Sequence, residues 1–203
     1  MSQQLWWYTV RASGLVAWVL VTAAVVWGLL LSLRQISRPR PAWMLDLHRF
    51  LGGITFLFVA LHLVALSFDS FVGFDWADLF VPYASAWRPG AVALGIVALY
   101  LLLAVELTSL MMRHLGRGFW HAIHLSSFGV FVAITLHALY AGADATEPLV
   151  LGFAIASSVA VAGLAVARVV LPRPRRDSVR ASTTALPAAT DVDRAELQRA
   201  EAS

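Results

Sequence analysis

The chain has 203 residues, of which 60% are hydrophobic and 13% charged, and its mean hydropathy is +0.75. A soluble domain carries about 25% charged residues, so an ordinary cytosolic globule and a disordered chain are both excluded and a membrane protein is implied. No cysteine is present, which excludes disulfides, thiolate zinc sites, iron–sulfur clusters and haem attached through C-x-x-C-H, and the formal charge of +3, carried by arginines without a single lysine, speaks of membrane topology rather than of nucleic acid.

Five long uncharged stretches follow one another, between Arg11 and Arg34, Arg49 and Asp69, Arg88 and Glu106, Arg117 and Asp144, and Glu147 and Arg168. Each is close to the roughly 20 residues with which a helix crosses hydrocarbon. The third reaches that length when Glu106 is included and the helix runs on to Met112. Backbone in lipid must satisfy its own hydrogen bonds, and no sustained two-residue alternation marks a barrel, so these are predicted helices. The first stretch is too long, with its basic residue too late and no small-x-small site after it, to be a signal peptide. The predicted fold is an all-α integral membrane protein, a bundle of five transmembrane helices over residues 1–171. Residues 172–203, rich in Arg, Pro, Ala, Ser and Thr, are predicted to be a disordered tail.

Charge sets the orientation. Arg34, Arg38 and Arg40, then Arg113 and Arg117, then the arginines from Arg168 to Arg180 fall at one end of a five-helix path. Asp69, Asp75, Asp78, Asp144 and Glu147 fall at the other. The positive-inside rule then places the N-terminus outside and the C-terminus in the cytoplasm of a multi-pass plasma-membrane protein. The second connection, Phe68–Pro89, mixes aromatics with acids and is expected at the outer interface.

The histidines carry the functional signal, because an ionisable residue inside a span is expensive and is a functional hypothesis by default. His48 and His62 lie 14 residues apart on the second helix, and His124 and His137 lie 13 apart on the fourth. At the helical rise these separations are about 21 and 19.5 Å. The two helices run in the same direction, so His48 pairs in depth with His124 near the cytoplasmic end, and His62 with His137 near the outer end. Two facing imidazoles can hold one porphyrin iron by both axial positions, and the pattern reads as two stacked b haems. The angles fit less well: a 14-residue step returns to within about 40° of one face, but a 13-residue step lands about 140° away. The fourth helix therefore needs tilt, a bend or ligands reaching in from different sides. His121, one turn before His124, is the weaker match in spacing and is left as a surface group or a propionate contact. His114 reads as solvated.

At these residues a resemblance enters. Asp46-Leu-His-Arg-Phe-Leu-Gly-Gly53 with His62 downstream, and Trp120-His-Ala-Ile-His124 with His137 downstream, resemble the two haem helices of ferric reductase-like transmembrane domains. That family includes the membrane domains of NADPH oxidases and ferric-chelate reductases, and the haem-binding subunit of the periplasmic methionine sulfoxide reductase system. The resemblance covers about Arg11 to Leu171. It implies an inner haem between His48 and His124 and an outer haem between His62 and His137, with electrons entering from the cytoplasm and leaving outside. Many members have six helices against five here. Oxidases and ferric reductases also carry a flavin- and NADPH-binding module, and no G-x-G-x-x-G on a strand–helix unit occurs here.

The expected function is thus a partnered b-type cytochrome, an oxidoreductase-type electron-transfer component with two haem b. The expected donor is a cytoplasmic flavin reductase or reduced flavin, with membrane quinol as a further candidate. The expected acceptor is ferric iron, oxygen or an extracytoplasmic redox enzyme. The competing readings are a metal-ion or proton transporter using the same histidines, and a structural subunit in which they only cross-link helices. Gly52, one turn after His48, either admits a porphyrin close to the backbone or serves ordinary helix packing. Arg49 and Arg117 either pair with inner-haem propionates or reflect topology alone, and Arg88 has the same two readings outside. Glu106 either orients a ligand histidine or pairs with an arginine near the cytoplasmic surface.

Overall fold

The computed structural model describes residues 3–33 and 41–171. Arg34, Arg38, Arg40 and the expected tail from residue 172 lie outside the described residues. Among the described residues all regular structure is helical. Five segments are long and apolar enough to cross a membrane: Gln3–Ser32, Ala42–Phe68, Pro89–Leu110, Arg117–Ala141 and Pro148–Val170. The helices are α1 (Gln3–Ser32), α2 (Ala42–Phe68), the short α3 (Trp76–Phe80), α4 (Pro89–Leu110), α5 (Arg117–Leu125), α6 (Ser127–Ala141) and α7 (Pro148–Val170).

Two boundaries depart from the sequence expectation. The first helix begins about two turns before Arg11, so that this arginine sits inside it. Its charge is met by Asp144, from the loop between α6 and α7, through both Nε (2.9 Å) and Nη2, and its guanidinium lies 4.1 Å from the Trp7 ring centre. A paired and stacked guanidinium is tolerated at the edge of a span where a lone one is not.

The second departure is in the fourth span, which is two helices rather than one. The Ser126 amide bonds to Ile123 O at 2.9 Å, an i−3 bond in place of the α-helical i−4 bond, and its Oγ reaches the same carbonyl at 2.6 Å. The ladder resumes with Val130 N to Ser126 O at 2.9 Å. Adjacent serines whose hydroxyls compete for backbone carbonyls are a known cause of such breaks. This interruption lies between His124 and His137, so the two rings stand on separate helices and the angle of an unbroken 13-residue step does not apply to them.

The helices alternate up and down. At one end Trp6 stacks on Phe68 at 4.9 Å, the Ser70 amide donates to Gln3 Oε1 at 3.2 Å, and Arg88 Nη1 donates to Tyr140 O at 2.6 Å. At the other end Trp27 Nε1 donates to Met44 O at 2.8 Å. Helix α1 packs against α2, α6 and α7, and α4 packs against α6, α5 and more lightly α2. The core lies where α1, α4, α6 and α7 meet, around Val21, Val25, Leu29, Leu102, Phe131 and Val161. There Trp18, 2% exposed, donates from Nε1 to Thr135 Oγ1 at 3.0 Å and meets Phe153 edge-on at 4.8 Å, joining three helices. The outward faces of α2 and α7 carry exposed Leu57, Val64, Leu149, Val159 and Val169, as suits a surface in contact with lipid.

The connection from 69 to 88 is held by α3, whose Asp75 and Asp78 form a reciprocal capping box (3.0 Å each way). Leu79 is buried, and Tyr100 Oη donates to Phe80 O at 2.7 Å. Phe71, Trp76 and Tyr83 are all strongly exposed, while the half-buried Phe74 and Trp87, with Phe71, line the cavity described below.

Candidate functional site

A cavity of about 820 Å³ lies between α2 and α6, walled by α1 and α4 and covered by the 69–88 connection. Its volume falls within the range of roughly 300–1,000 Å³ typical of cofactor sites. His62 from α2 and His137 from α6 both line it, and the two rings are within electrostatic reach of each other. The remaining lining is largely aliphatic and aromatic. Arg11, Asp144 and Arg88 stand at the end nearest the 69–88 connection.

Both of these rings are oriented by backbone. His62 Nδ1 lies 2.9 Å from Val10 O, and His137 Nδ1 lies 2.8 Å from Ala91 O. A carbonyl can only accept, so each Nδ1 carries the proton and donates it. Each Nε2 is thereby left with a free lone pair, as metal-ligating histidines require. Both residues are half-buried, and they contribute to the cavity wall.

The second pair lies at the other end of the same two spans. The rings of His48 (α2) and His124 (α5) have their centres 5.9 Å apart with planes at 72°. An ion bound between two imidazoles at about 2.0–2.1 Å from each nitrogen, with each ring centre about 1 Å further back, sets the centres roughly 6 Å apart. The observed spacing is close to that figure and also lies within the range of ordinary edge-to-face ring contacts. The Nδ1 atoms of His48 and His124 are both buried and without hydrogen-bond partners; the Ala24 carbonyl faces the His48 ring, but no bond of normal geometry closes. Trp120 stacks on His124 at 5.0 Å and 25°, and its own Nε1 is also unpartnered. Buried polar atoms without partners are uncommon, and a metal held at Nε2, as the outer pair presents it, would leave these Nδ1 atoms as they are.

The donor set limits what such a ligand is. Among the described residues no three His, Asp or Glu side chains converge on one point. A bare zinc or similar ion takes three or four protein ligands. Two opposed imidazoles suit a metal that brings its own equatorial nitrogens, which is what a porphyrin iron does.

The other sequence candidates are placed as follows. His121 is exposed, with its ring 6.2 Å from that of Trp120, while the His124 ring lies 5.9 Å from that of His48. His114 is exposed. Arg49 is exposed and lies 3.7 Å from Asp46. Arg117 is exposed at the first turn of α5. Gly52 faces Glu106: a Cβ added there would lie 2.5 Å from Oε1 of that carboxylate. Glu106 is half-buried and makes no hydrogen bond or ion pair among the described residues. Arg88 spans to Tyr140 O and lies over Trp87 at 5.1 Å. Sequence reasoning missed Arg11, whose partner is 133 residues away and whose position in a span was masked by the hydrophobic run that starts after it.

Comparison with known proteins adds one relative. Over 135 residues the chain is 33% identical to the protein-methionine-sulfoxide reductase heme-binding subunit MsrQ of Rhodospirillum rubrum, in a match that takes in 61% of this chain and 62% of that protein. The chain thus spans less than two thirds of the length of the curated relative it matches. No family model matches, and no solved structure matches. The similarity is to a protein that is, by its name, a haem-binding subunit of a redox enzyme.

Proposed function

We propose that this protein is a transmembrane b-type cytochrome that passes electrons between a cytoplasmic reductant and an extracytoplasmic acceptor. The observation that carries the reading is the pairing of four intramembrane histidines into two couples, one with ring centres 5.9 Å apart and one sharing a cavity of about 820 Å³. The relative's name supports it independently, since it is a haem-binding subunit.

In this reading His48 and His124 hold an inner haem, His62 and His137 hold an outer haem, and residues 1–171 form the cytochrome domain. Arg49 and Arg117 are the inner-end cations that would meet the propionates of the inner group, whereas the room beside Gly52 is taken by the Glu106 carboxylate. Haem b held by these histidines would supply reversible one-electron transfer. The chain's own residues do the rest. Val10 and Ala91 carbonyls hold the outer imidazoles in the tautomer that presents Nε2. The aliphatic side chains of α1 and α4 give the cavity an apolar wall, and the apolar shell around a metal group is one of the factors that tune its potential. The positive end of the bundle faces the cytoplasm, the N-terminus lies outside, and electrons run from the inner pair to the outer pair. The donor is a separate flavin reductase or reduced flavin, and the acceptor is an extracytoplasmic redox enzyme of the kind the relative serves. A transporter of bare metal ions has no third ligand at either pair among the described residues.

The test is haem content in four single variants. His48→Ala and His124→Ala should remove one and the same spectral component, and His62→Ala and His137→Ala the other. Equal haem in all four variants would overturn the assignment.

A further inference from the structure

The carbonyls that seat these histidines share one feature: each lies four residues before a glycine. Val10 precedes Gly14 on α1, Ala91 precedes Gly95 on α4, and Ala24, the carbonyl that faces His48, precedes Gly28 on α1. In a helix, residue i+4 sits directly above the carbonyl of residue i, and its Cβ tilts back toward the N-terminus over that carbonyl. Any side chain there would screen the oxygen from a neighbouring helix.

The distances show what glycine makes room for. A Cβ on Gly95 would lie 2.8 Å from both Cε1 and Nδ1 of His137. On Gly14 it would lie 3.1 Å from the same two atoms of His62, and on Gly28 it would lie 3.0 Å from Cε1 of His48. In all three cases the nearest atoms belong to the imidazole ring, not to the backbone of the neighbouring helix. Glycines that merely let two helices approach would face backbone. These face a ring edge, and at Gly14 and Gly95 that edge carries the proton donated to the carbonyl below.

The spacing repeats the point. Fourteen residues separate Gly14 from Gly28 on α1, and fourteen separate His48 from His62 on the antiparallel α2. One helix register therefore serves both levels. His124 has no such seat. Carried on at the register of Gly95 and His137, the α4 position opposite it is Thr108, whose hydroxyl takes the Ala104 carbonyl at 2.7 Å. The Nδ1 of His124 is left without a partner.

We propose that Gly14, Gly28 and Gly95 are positioning residues: each opens room, a socket, that receives one histidine edge-on, and at Gly14 and Gly95 the carbonyl so bared fixes which ring nitrogen faces the cofactor. The role of that nitrogen rests on the cytochrome reading; the socket itself does not. Both rings of the outer pair then meet a glycine and bond a carbonyl, while in the inner pair His48 alone meets a glycine and neither Nδ1 is bonded.

The experiment has two arms on the full chain. The first is thermal unfolding of Gly14→Ala, Gly28→Ala and Gly95→Ala, alone and combined with His62→Ala, His48→Ala and His137→Ala respectively, with Gly53→Ala as control because nothing lies within 4 Å of its added Cβ. Alanine normally stabilises a helix relative to glycine. The expected result is a lowered Tm for each socket variant in the native background, most for Gly95→Ala, and an unchanged or raised Tm once the matching histidine is alanine. Should Gly95→Ala fail to fold, folding of the Gly95→Ala/His137→Ala pair supports the socket, and no recovery overturns it. Equal loss of Tm with and without the histidine would assign the glycines to helix packing alone and overturn the proposal. The second arm is a redox titration followed optically. Gly14→Ala should shift the component that His62→Ala removes and leave the other in place, and an unshifted titration overturns the positioning role. A colourless protein with the expected Tm pattern would refute the cytochrome reading and keep the sockets.

Discussion

The two histidine pairs differ in what they contribute before any cofactor binds, and this gives a test that needs no partner protein. His137 donates to Ala91 O at 2.8 Å, whereas His124 Nδ1 is buried without a partner. Replacing His137 by alanine in haem-free protein removes one hydrogen bond, worth about 0.5–1.5 kcal/mol in general and about 0.6 kcal/mol on average between membrane helices. Replacing His124 removes a buried polar atom that had no bond to lose, so in haem-free protein it should be neutral within about 0.5 kcal/mol or slightly stabilising. Loaded protein behaves differently, because a ligand that binds only the folded state adds RT ln(1 + [L]/Kd), about 2.7 kcal/mol at a hundredfold excess over Kd. Each variant should lose that increment for the site it destroys. The assay is unfolding in detergent of protein made with and without haem supply. The expected costs are about 1 kcal/mol for His137→Ala and about zero for His124→Ala without haem, with each rising by about 2–3 kcal/mol when haem is present. A cost for His124→Ala that is large and independent of haem would refute the ligand role and make the ring a structural contact.

Three further outcomes follow from the geometry. His121→Ala should keep both haem components, since its ring is exposed and His124 faces His48; loss of one component, read in the optical difference spectrum, would move the ligand to His121. Thr135→Val leaves the buried Trp18 N–H without its acceptor and should cost about 1–2 kcal/mol in unfolding stability, with no change in haem count. Arg11→Gln and Asp144→Asn should be coupled in a double-mutant cycle by about 1 kcal/mol, because the pair is bidentate and only partly exposed (31% and 18%); strict additivity would show that the contact contributes nothing.

Much of this arrangement is legible in the residues themselves. Hydrophobic runs bounded by charges mark the five spans, because hydrocarbon thickness and backbone satisfaction leave a chain few alternatives. Equal axial spacing on two parallel spans brings His48 to the depth of His124 and His62 to that of His137. The break at Ser126 is half-legible: the roughly 140° misfit of a 13-residue step asks for tilt, a bend or ligands from different sides, and the hydrogen-bond ladder breaks at Ser126. Other features depend on tertiary contacts that local pattern does not encode. The Arg11–Asp144 pair joins residues far apart in the chain, so the helix start before Arg11 is hidden by its charge. Gly52 against Glu106 depends on how α2 and α4 cross. The sockets were present as a repeated spacing of 14, but glycine in membrane helices has a general packing use that conceals a particular one.

The central claim is that two couples of histidines hold two haems. The most direct measurement is a reduced-minus-oxidised optical spectrum of the purified full chain, with haem extracted and counted against protein. Two low-spin b-type haems per chain is the result expected of the paired imidazoles. A colourless protein, after expression with ample haem supply, would contradict it.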